Sequence, residues 1–498
     1  MPSVDPAFLA LPLATVADAV LSRARVLGAR YACCRVQRTR TARLELVDGT
    51  VRGTGDSTAT RLGVRLAFRG GWGFAAVPEL TGPAAVAAVD RAAAVAEACA
   101  GVGPPELADE PVHQDATWVS AYRVNPFEVP EAERVAVLAD WSTRLGRAPC
   151  VRSVLAYYTA VQENTFYADL AGTVATQQRV RVHPVLFAFG EDARTGATAV
   201  LRTLGPPTAR GWEYLGGDGW DWDAELAALP EELAGKLRAE PVEPGTYDLV
   251  LDPSHLWLTL HETVGHATEA DRALGHELSY AGGTFVAPDS VGSLRFGSPL
   301  MHVTADRTAT HGLATVGYDD EGVAAGSWDL VRDGVLVGLQ HDRRTAARTG
   351  VSRSTGCAYA ESAGHVPLPR MPNVALRPVP GGPDTGALIA GVDDGIYLVG
   401  SDSFSIDIRR HAFQFTAQRC YRIRHGRLAG QLAGVAYLGE TTAFWAALTG
   451  VGGPGSYREF GADQCGKGQP VQLSAASHGA PVTRFDRIRV VNTGAGPP

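Results

Sequence analysis

The hydrophobic pattern of the first 240 residues changes repeatedly between two periods. Residues 25–77 alternate β-branched and polar positions and are interrupted by Asp-Gly and Gly-Gly turns, which predicts a run of antiparallel strands. Residues 151–202 predict more strands of the same kind. Helical spacing of apolar residues appears instead over 81–101 and 129–147. This half of the chain therefore predicts a mixed domain of helices and antiparallel sheet.

The pattern shifts after a Pro/Glu-rich linker that ends near Glu243. A short strand at 246–251 leads to an Asp-Pro turn and then to a helix on which Leu256, Leu260 and Val264 share one face. Beyond this helix the chain is rich in glycine and short strands, with hairpin signals such as VRDG and RHGR. We predict an α+β protein with two domains: an N-terminal α+β domain at 1–243, and a mostly β domain at 244–498 with that helix near its start.

Composition narrows the classes of function. The formal net charge of −8 argues against a general affinity for nucleic acid or for anionic membranes, because both need a basic surface. The N-terminus lacks the basic region of a signal peptide, and no stretch approaches the roughly 20 apolar residues that cross a bilayer. Seven cysteines without a repeating spacing fit reduced thiols. We therefore expect a soluble, cytoplasmic protein.

The helix that follows the linker carries the sequence HETVGH, from His261 to His266. In the HExxH motif of zinc peptidases the two histidines lie about 40° apart around the helix, so one metal ion can bind both. The extra residue here separates His261 and His266 by about 140° on an ideal α-helix. A single π-helical turn would bring them back into line, and Gly265 would ease that distortion. An ordinary surface pair of Glu262 and His266 is the alternative.

A catalytic zinc ion needs a third protein ligand. The candidates are Cys465, Glu269, His255, His276 and His478. We favour Cys465 because it stands in the glycine-rich segment GADQCGKGQP, where backbone can approach a metal closely. Lys467, one of only two lysines in the chain, follows it and would favour the thiolate. We expect His276 and His478 to be surface or packed residues, and His255 to serve the start of the helix.

Several stretches together resemble the TldD/PmbA family, specifically its catalytic TldD type. The matching stretches are LHETVGHATEAD, CGKGQ, LPRMPN, the turn DDEG, GVRLAFRGGWGFA and NPFEVP, and they extend over nearly the whole chain. The partner type in that family lacks the metal motif, so the intact HETVGH places this chain with the catalytic type.

The resemblance implies a zinc-dependent metallopeptidase. It carries His261, His266 and Cys465 over as metal ligands and Glu262 as the general base that takes a proton from water. Glu269 and Asp271 also match family positions. They are equally well explained as acceptors that orient the histidines and as ordinary acids near a helix end. Lys467 is a possible donor to the oxyanion of the reaction.

The chain departs from the family where CGKxGQ is common and CGKGQ stands instead, and the segment after it also matches poorly. The resemblance further implies a peptide or peptide-like substrate and a dimer, formed with a TldE/PmbA-type subunit that lacks the metal or with a second copy of this chain. Two alternatives stay open: a metal-dependent amide hydrolase acting on a non-peptide or peptide-conjugated intermediate, and a non-catalytic scaffold subunit that contains a metal.

Overall fold

The structure is a computed structural model that describes residues 3–102 and 106–494. Its N-terminal half contains one large sheet with helices packed against it. The helices are α1 (Pro6–Leu9), α2 (Leu13–Leu27), α3 (Gly82–Ala98), α4 (Glu131–Gly146) and α5 (Trp222–Leu237). The strands are β1 (Tyr31–Val47), β2 (Thr50–Phe68), β3 (Gly71–Val77), β4 (Ala116–Val119), β5 (Val151–Asp169), β6 (Val174–Glu191) and β7 (Thr198–Arg202).

The seven strands follow the order β3-β2-β1-β5-β6-β4, and β7 pairs with β6. All neighbours are antiparallel except β4 and β6, as the alternating pattern of the sequence predicts. Strands β1, β2, β5 and β6 are between 17 and 19 residues long, so each is long enough to pack under more than one helix. One apolar core lies under α2 and α3 and a second lies under α4 and α5.

The C-terminal half has many short strands and few helices. Its strands are β8 (Glu240–Pro241), β9 (Gly245–Leu251), β10 (Val303–Asp306), β11 (Ser327–Arg332), β12 (Val335–Leu336), β13 (Ala358–Tyr359), β14 (Leu368–Pro369), β15 (Asn373–Leu376), β16 (Asp394–Ile406), β17 (Ala412–Arg424), β18 (Arg427–Ala433), β19 (Val435–Glu440), β20 (Leu448–Val451), β21 (Arg458–Lys467), β22 (Gln472–Ala480) and β23 (Thr483–Asn492). Its helices are α6 (Pro253–Leu260), α7 (Ala270–Ala273), α8 (Arg343–Thr349), α9 (Thr385–Ala390) and α10 (Thr441–Ala446). The α+β class predicted from the sequence is confirmed.

Two sheets enclose the core of this half. In the first, β16, β9, β23, β19 and β17 pair in that order and β17 pairs again with β16, so these five strands form a closed ring. The second sheet has the order β12-β11-β10-β15-β22-β21, in which β21 is an edge strand. The expected hairpins at VRDG and RHGR are present as the turns between β11 and β12 and between β17 and β18.

Helix α6 lies where the two sheets meet, because it packs against β16 of the first and against β21 and β22 of the second. It begins directly after β9, at the Asp-Pro turn that the sequence shows. The N-terminal cap is Asp252, whose Oδ1 accepts a hydrogen bond of 2.9 Å from the backbone N–H of Ser254. Ser254 itself is already inside the helix. Because the HETVGH segment continues directly from α6, it lies between the two sheets.

Different apolar clusters lie on the two sides of the proposed domain boundary. Two clusters draw their buried residues from within 4–233, and the other two from within 242–490. Contacts between the halves include buried ion pairs such as Arg65 with Glu321. The division at residue 243 remains a prediction that this change of cores supports.

A buried carboxylate within the N-terminal sheet is paired with two arginines. Glu163 on β5 contacts Arg179 and accepts a hydrogen bond of 2.9 Å from Arg181, both on β6. Burial alone would raise the pKa of the Glu163 carboxyl, but the two guanidinium groups lower it to about 2.

No helix in the described ranges is long and apolar enough to cross a membrane.

Candidate metal centre

The HETVGH segment leaves α-helical geometry where the spacing of its histidines requires it. Helix α6 ends at Leu260, residues His261–Gly265 form one π-helical turn, and His266–Thr268 continue as a 3₁₀ turn. The backbone N–H of His266 donates to the carbonyl of His261, five residues earlier, which is the hydrogen bond of a π-turn. The two imidazole rings are thereby brought to a centroid distance of 4.7 Å. The predicted bulge is confirmed.

Gly265 serves this turn in a different way from the one expected. Its backbone has φ −55° and ψ −62°, which any residue adopts, so conformational freedom is not required. A Cβ at this position would instead stand 2.3 Å from Sδ of Met371. Met371 belongs to the LPRMPN segment and is almost fully buried. Gly265 is therefore needed for the close approach of that segment to the motif.

Cys465 approaches the two histidines from the second sheet of the C-terminal half. It lies on the edge strand β21, where we expected a glycine-rich loop, next to an irregularity in the pairing with β22 between Ala462 and Cys465. Its Sγ is 3.3 Å from Nε2 of His266. One ligand atom from each of His261, His266 and Cys465 lies within 4.8 Å of the other two, and all three residues are buried.

This donor set fits zinc. Two imidazoles and one thiolate are ligands that Zn²⁺ prefers, and three protein ligands leave a fourth position for water or substrate. Ligation also requires neutral imidazoles and an ionised thiol. Burial lowers the pKa of His266 to about 4 and lowers that of His261, so both rings are neutral near pH 7. Burial alone would raise the pKa of the Cys465 thiol, but His266 and Arg370 lower it below the ordinary value.

Each histidine is held by a different partner. Nδ1 of His266 is 2.9 Å from Oε2 of Glu269, as expected of an acceptor that orients a ligand. Nδ1 of His261 is 2.7 Å from Nε2 of His478, on β22. His478 is completely buried, with its ring parallel to that of Trp257 at a centroid distance of 6.2 Å. His478, a candidate third ligand that we expected to be a surface or packed residue, is thus packed directly against the motif.

Lys467 lies behind the site. Its side chain is completely buried, and Nζ is 2.8 Å from Oδ1 of Asp271, 3.2 Å from Oε1 of Glu269 and 2.8 Å from the carbonyl of Pro369. Two of its protons are donated to Asp271 and to the carbonyl of Pro369, and the contact with Glu269 is an ion pair, so its charge is directed to interior groups. Lys467 therefore stays only a predicted donor to an oxyanion. It acts on Glu269, whose pKa is held well below its usual range, against the effect of burial, by Lys467, His266 and Arg272.

Glu262 is next to the histidines and contacts a residue that no sequence motif had indicated. Its Oε2 contacts Nη1 of Arg410, from the turn between β16 and β17. Nη2 of Arg410 donates to the carbonyl of Ala281 at 3.2 Å. The turn is held in place by Thr441, whose hydroxyl donates to the carbonyl of Arg410 at 2.7 Å.

The other two histidine candidates lie in separate environments. His255 has Nδ1 3.2 Å from the carbonyl of Gly400 and Nε2 3.1 Å from the hydroxyl of Tyr437, so its ring ties α6 to the closed ring of strands. His276 contacts Arg344 and Arg348. Neither joins the group formed by the two motif histidines and Cys465.

Comparisons with known proteins agree with this geometry. Residues 244–492 match the family described as PmbA/TldA metallopeptidase C-terminal domain, and residues 34–96 match PmbA/TldA metallopeptidase domain 1. A metalloprotease of Methanothermobacter thermautotrophicus is 28% identical over 470 residues, which cover 93% of this chain and 96% of that protein. A zinc metalloprotease TldD homolog of Saccharolobus solfataricus is 27% identical over 280 residues, 55% of this chain and 58% of that protein.

Among solved structures, TldE from Thermococcus kodakarensis has the same fold. The TM-score is 0.71 at 14% identity, and the match covers 95% of this chain and 100% of that one. The two family matches, one of them spanning the half that carries the motif helix and Cys465, show that this chain belongs to the TldD/PmbA metallopeptidase family.

Proposed function

We propose that this protein is a zinc-dependent peptidase that hydrolyses amide bonds of small or unfolded peptides. One observation carries the proposal: a π-turn directs His261 and His266 to a common point that Cys465 reaches from another sheet. A protein that kept this metal for structure alone would need no general base, yet Glu262 lies within the same turn.

His261, His266 and Cys465 would hold the zinc ion. When bound, zinc polarises the scissile carbonyl and lowers the pKa of water to about 7. Glu269 and His478 would keep the two imidazoles in the tautomer that presents Nε2, because each engages the Nδ1 atom.

Glu262 would move the proton. Its carboxylate takes one proton from water as the water oxygen bonds to the carbonyl carbon and the carbonyl π electrons move to the oxygen. The same proton then passes to the amide nitrogen as the C–N bond breaks, so the products are a carboxylic acid, which ionises, and an amine. Glu262 ends in the state in which it began.

The edge strand that carries Cys465 offers a way to hold the substrate. Among the described strands, β21 pairs with β22 alone. An extended peptide could therefore align beside β21 by strand addition, which recognises backbone more than side chains. We further propose a dimer with a TldE-type subunit or with a second copy, without direct contact to nucleic acid. A reducing cytoplasm suits the seven free cysteines.

Metal analysis is the first test. Wild-type protein and Glu262→Gln should each hold about one zinc ion per chain, because the carboxylate is not a ligand, whereas Cys465→Ala should lose most of it. Equal zinc content in wild type and Cys465→Ala would contradict the proposed ligand set.

A peptide-library assay is the second test, with a TldE-type subunit added in one arm. Wild type should cleave peptides and Glu262→Gln should be slower by at least about 10²-fold, as expected for loss of a general base. Cleavage of non-peptide amides alone would favour the amide hydrolase. A zinc-loaded wild type that cleaves nothing, with or without the added subunit, would favour the scaffold.

A further inference from the structure

Four cationic side chains surround the proposed zinc site, and only one of them reaches solvent. Lys467, Arg272 and Arg370 are fully or almost fully buried. Arg272 binds Glu269 and the carbonyls of residues 281 and 282, and Arg370 binds the carbonyls of residues 465 and 472. Their positions are fixed by the interior of the protein. The side chain of Arg410, in contrast, is 14% exposed.

Arg410 also has an N–H donor that makes no hydrogen bond in the described part of the chain. A guanidinium group carries five N–H donors. In this structure one nitrogen contacts Glu262, a second makes the 3.2 Å contact to the carbonyl of Ala281, and Nε is buried without a hydrogen-bond partner in the described part of the chain. The planar fork of arginine suits a carboxylate or another pair of anionic oxygens.

The contact between Arg410 and Glu262 engages one of the two carboxylate oxygens of the proposed general base. While Oε2 of Glu262 faces the guanidinium, the carboxylate is held in the orientation of this ion pair. The side chain of Glu262 is 7% exposed and that of Arg410 is 14% exposed, so this ion pair has direct, though limited, contact with solvent. An anionic oxygen that replaced Glu262 on Arg410 would free the carboxylate and would itself be held beside it.

We propose that Arg410 is the residue that binds the negatively charged oxygen of the substrate and exchanges Glu262 for it. The inference rests on the proposed peptidase function. The oxygen comes either from the scissile carbonyl, as it gains charge when water adds, or from the C-terminal carboxylate of a peptide that is cut near its end. Arg410 keeps all its protons in both cases, so the proton balance given above for Glu262 is unchanged. This places at Arg410 an oxyanion contact for which the sequence had suggested Lys467.

The test compares Arg410→Met, Arg410→Lys and the matched control Arg409→Met, whose side chain is exposed. Each zinc-loaded protein is titrated by calorimetry with tetra-alanine, with its C-terminal amide, and with an oligo-alanine phosphinate that mimics the tetrahedral oxygens. Hydrolysis of the first two peptides is measured in parallel. Arg410→Met should hold as much zinc as wild type but bind the phosphinate or the free acid about 10²-fold more weakly, and kcat/KM should fall by about 10²–10³-fold. Arg410→Lys should recover part of the loss, and Arg409→Met should match wild type.

The pattern of losses identifies the oxygen. Equal losses of kcat/KM for the acid and the amide indicate the scissile oxygen, and a loss confined to the acid, seen mainly in KM, indicates the terminal carboxylate. If Arg410→Met loses zinc, its weaker binding does not report on Arg410 itself. The comparison of Arg410→Lys with wild type then tests the inference. Binding of all three probes within threefold of wild type overturns the inference. A wild type that binds the probes through Arg410 but hydrolyses neither peptide refutes the peptidase function and leaves the assignment of Arg410 standing.

Discussion

Replacement of Gly265 by alanine tests whether the π-turn and the LPRMPN segment fit together as the structure shows. The added Cβ would lie 2.3 Å from Sδ, 2.7 Å from Cε and 3.3 Å from Cγ of Met371. Non-bonded carbon contacts are comfortable at about 3.5–4.0 Å, so the methionine or the turn must retreat by more than about 1 Å. Met371 is 2% exposed and belongs to the main core of the C-terminal half, so it cannot swing into solvent.

The cost follows from two opposing terms. Overpacking of this kind destabilises by about 1–3 kcal/mol. An overlap of more than about 1 Å belongs to the upper part of that range, about 2–3 kcal/mol, and alanine regains about 1 kcal/mol of helix propensity relative to glycine, which leaves a net loss of about 1–2 kcal/mol. At about 2–4 °C for each kcal/mol in a domain of this size, the unfolding midpoint should fall by about 2–8 °C. Because His266 follows Gly265 directly, we also expect zinc affinity to fall by about tenfold, or about 1.4 kcal/mol.

The assay is thermal unfolding of the metal-free protein, together with zinc affinity from chelator competition. Gly146→Ala is the matched control, since Gly146 ends α4, is exposed and has no atom within 4 Å of an added Cβ. The double variant Gly265→Ala with Met371→Ala should be less destabilised than the sum of the two single variants by about 0.5–3 kcal/mol. Additive losses, or a Gly265→Ala protein that matches wild type in midpoint and affinity, would refute the reasoning.

Three further predictions concern buried polar groups. His478→Phe removes the partner of His261 and should weaken zinc binding by about 10–100-fold in chelator competition; an unchanged affinity would mean that the hydrogen bond is incidental. Lys467→Met leaves buried Asp271 without its ion-pair partner and removes one of the two cations that contact Glu269, so it should destabilise the metal-free protein by about 3–5 kcal/mol, which a midpoint within experimental error of wild type would exclude. The pKa of Glu163 is lowered to about 2 in the folded protein, so its contribution is complete above its unfolded value of about 4.3 and is lost as the pH falls toward 2. From that difference of about 2 pKa units, Glu163→Gln should lower stability by about 3 kcal/mol near pH 7 and by little near pH 2 in urea unfolding; an equal loss at both pH values would contradict the ion-pair account.

The sequence predicted the motif helix well because the relevant signals are local. The Asp-Pro turn, the spacing of the leucines and the position of the two histidines all lie within about four helical turns. The π-turn itself followed from a geometric requirement, since five steps along an α-helix cannot direct two side chains to one metal ion. The role of Gly265 was missed because the residue that excludes its Cβ, Met371, is more than one hundred positions away.

Contacts between distant segments explain the other omissions. His478 and Arg410 reach the motif across 217 and 148 positions, and neither stands in a pattern with a chemical meaning of its own. Cys465 was selected because it stands in a glycine-rich segment. The strand that carries it was not predicted, because the glycines that follow Cys465 are typical of a loop. Gly468, with φ +85°, does form the tight turn between β21 and β22, so the turn signal was sound but belonged three residues later.

The charges around the proposed site explain why a substrate oxygen would be drawn to it. The buried or nearly buried groups comprise four acids, counting the thiol as the thiolate that zinc requires, and four cations, so their charges cancel before a metal ion binds. The acids are Glu262, Glu269, Asp271 and Cys465, and the cations are Arg272, Arg370, Arg410 and Lys467. A zinc ion therefore leaves the cluster with two positive charges in a region of low dielectric constant, where charge interactions are strong. Three of the cations are committed to interior partners, so an anionic oxygen in the site meets the metal and Arg410. A peptide carboxylate that replaces Glu262 on Arg410 brings the charge of the cluster closer to balance, whereas an oxyanion formed from the scissile carbonyl carries the charge that Glu262 loses when it takes the proton from water.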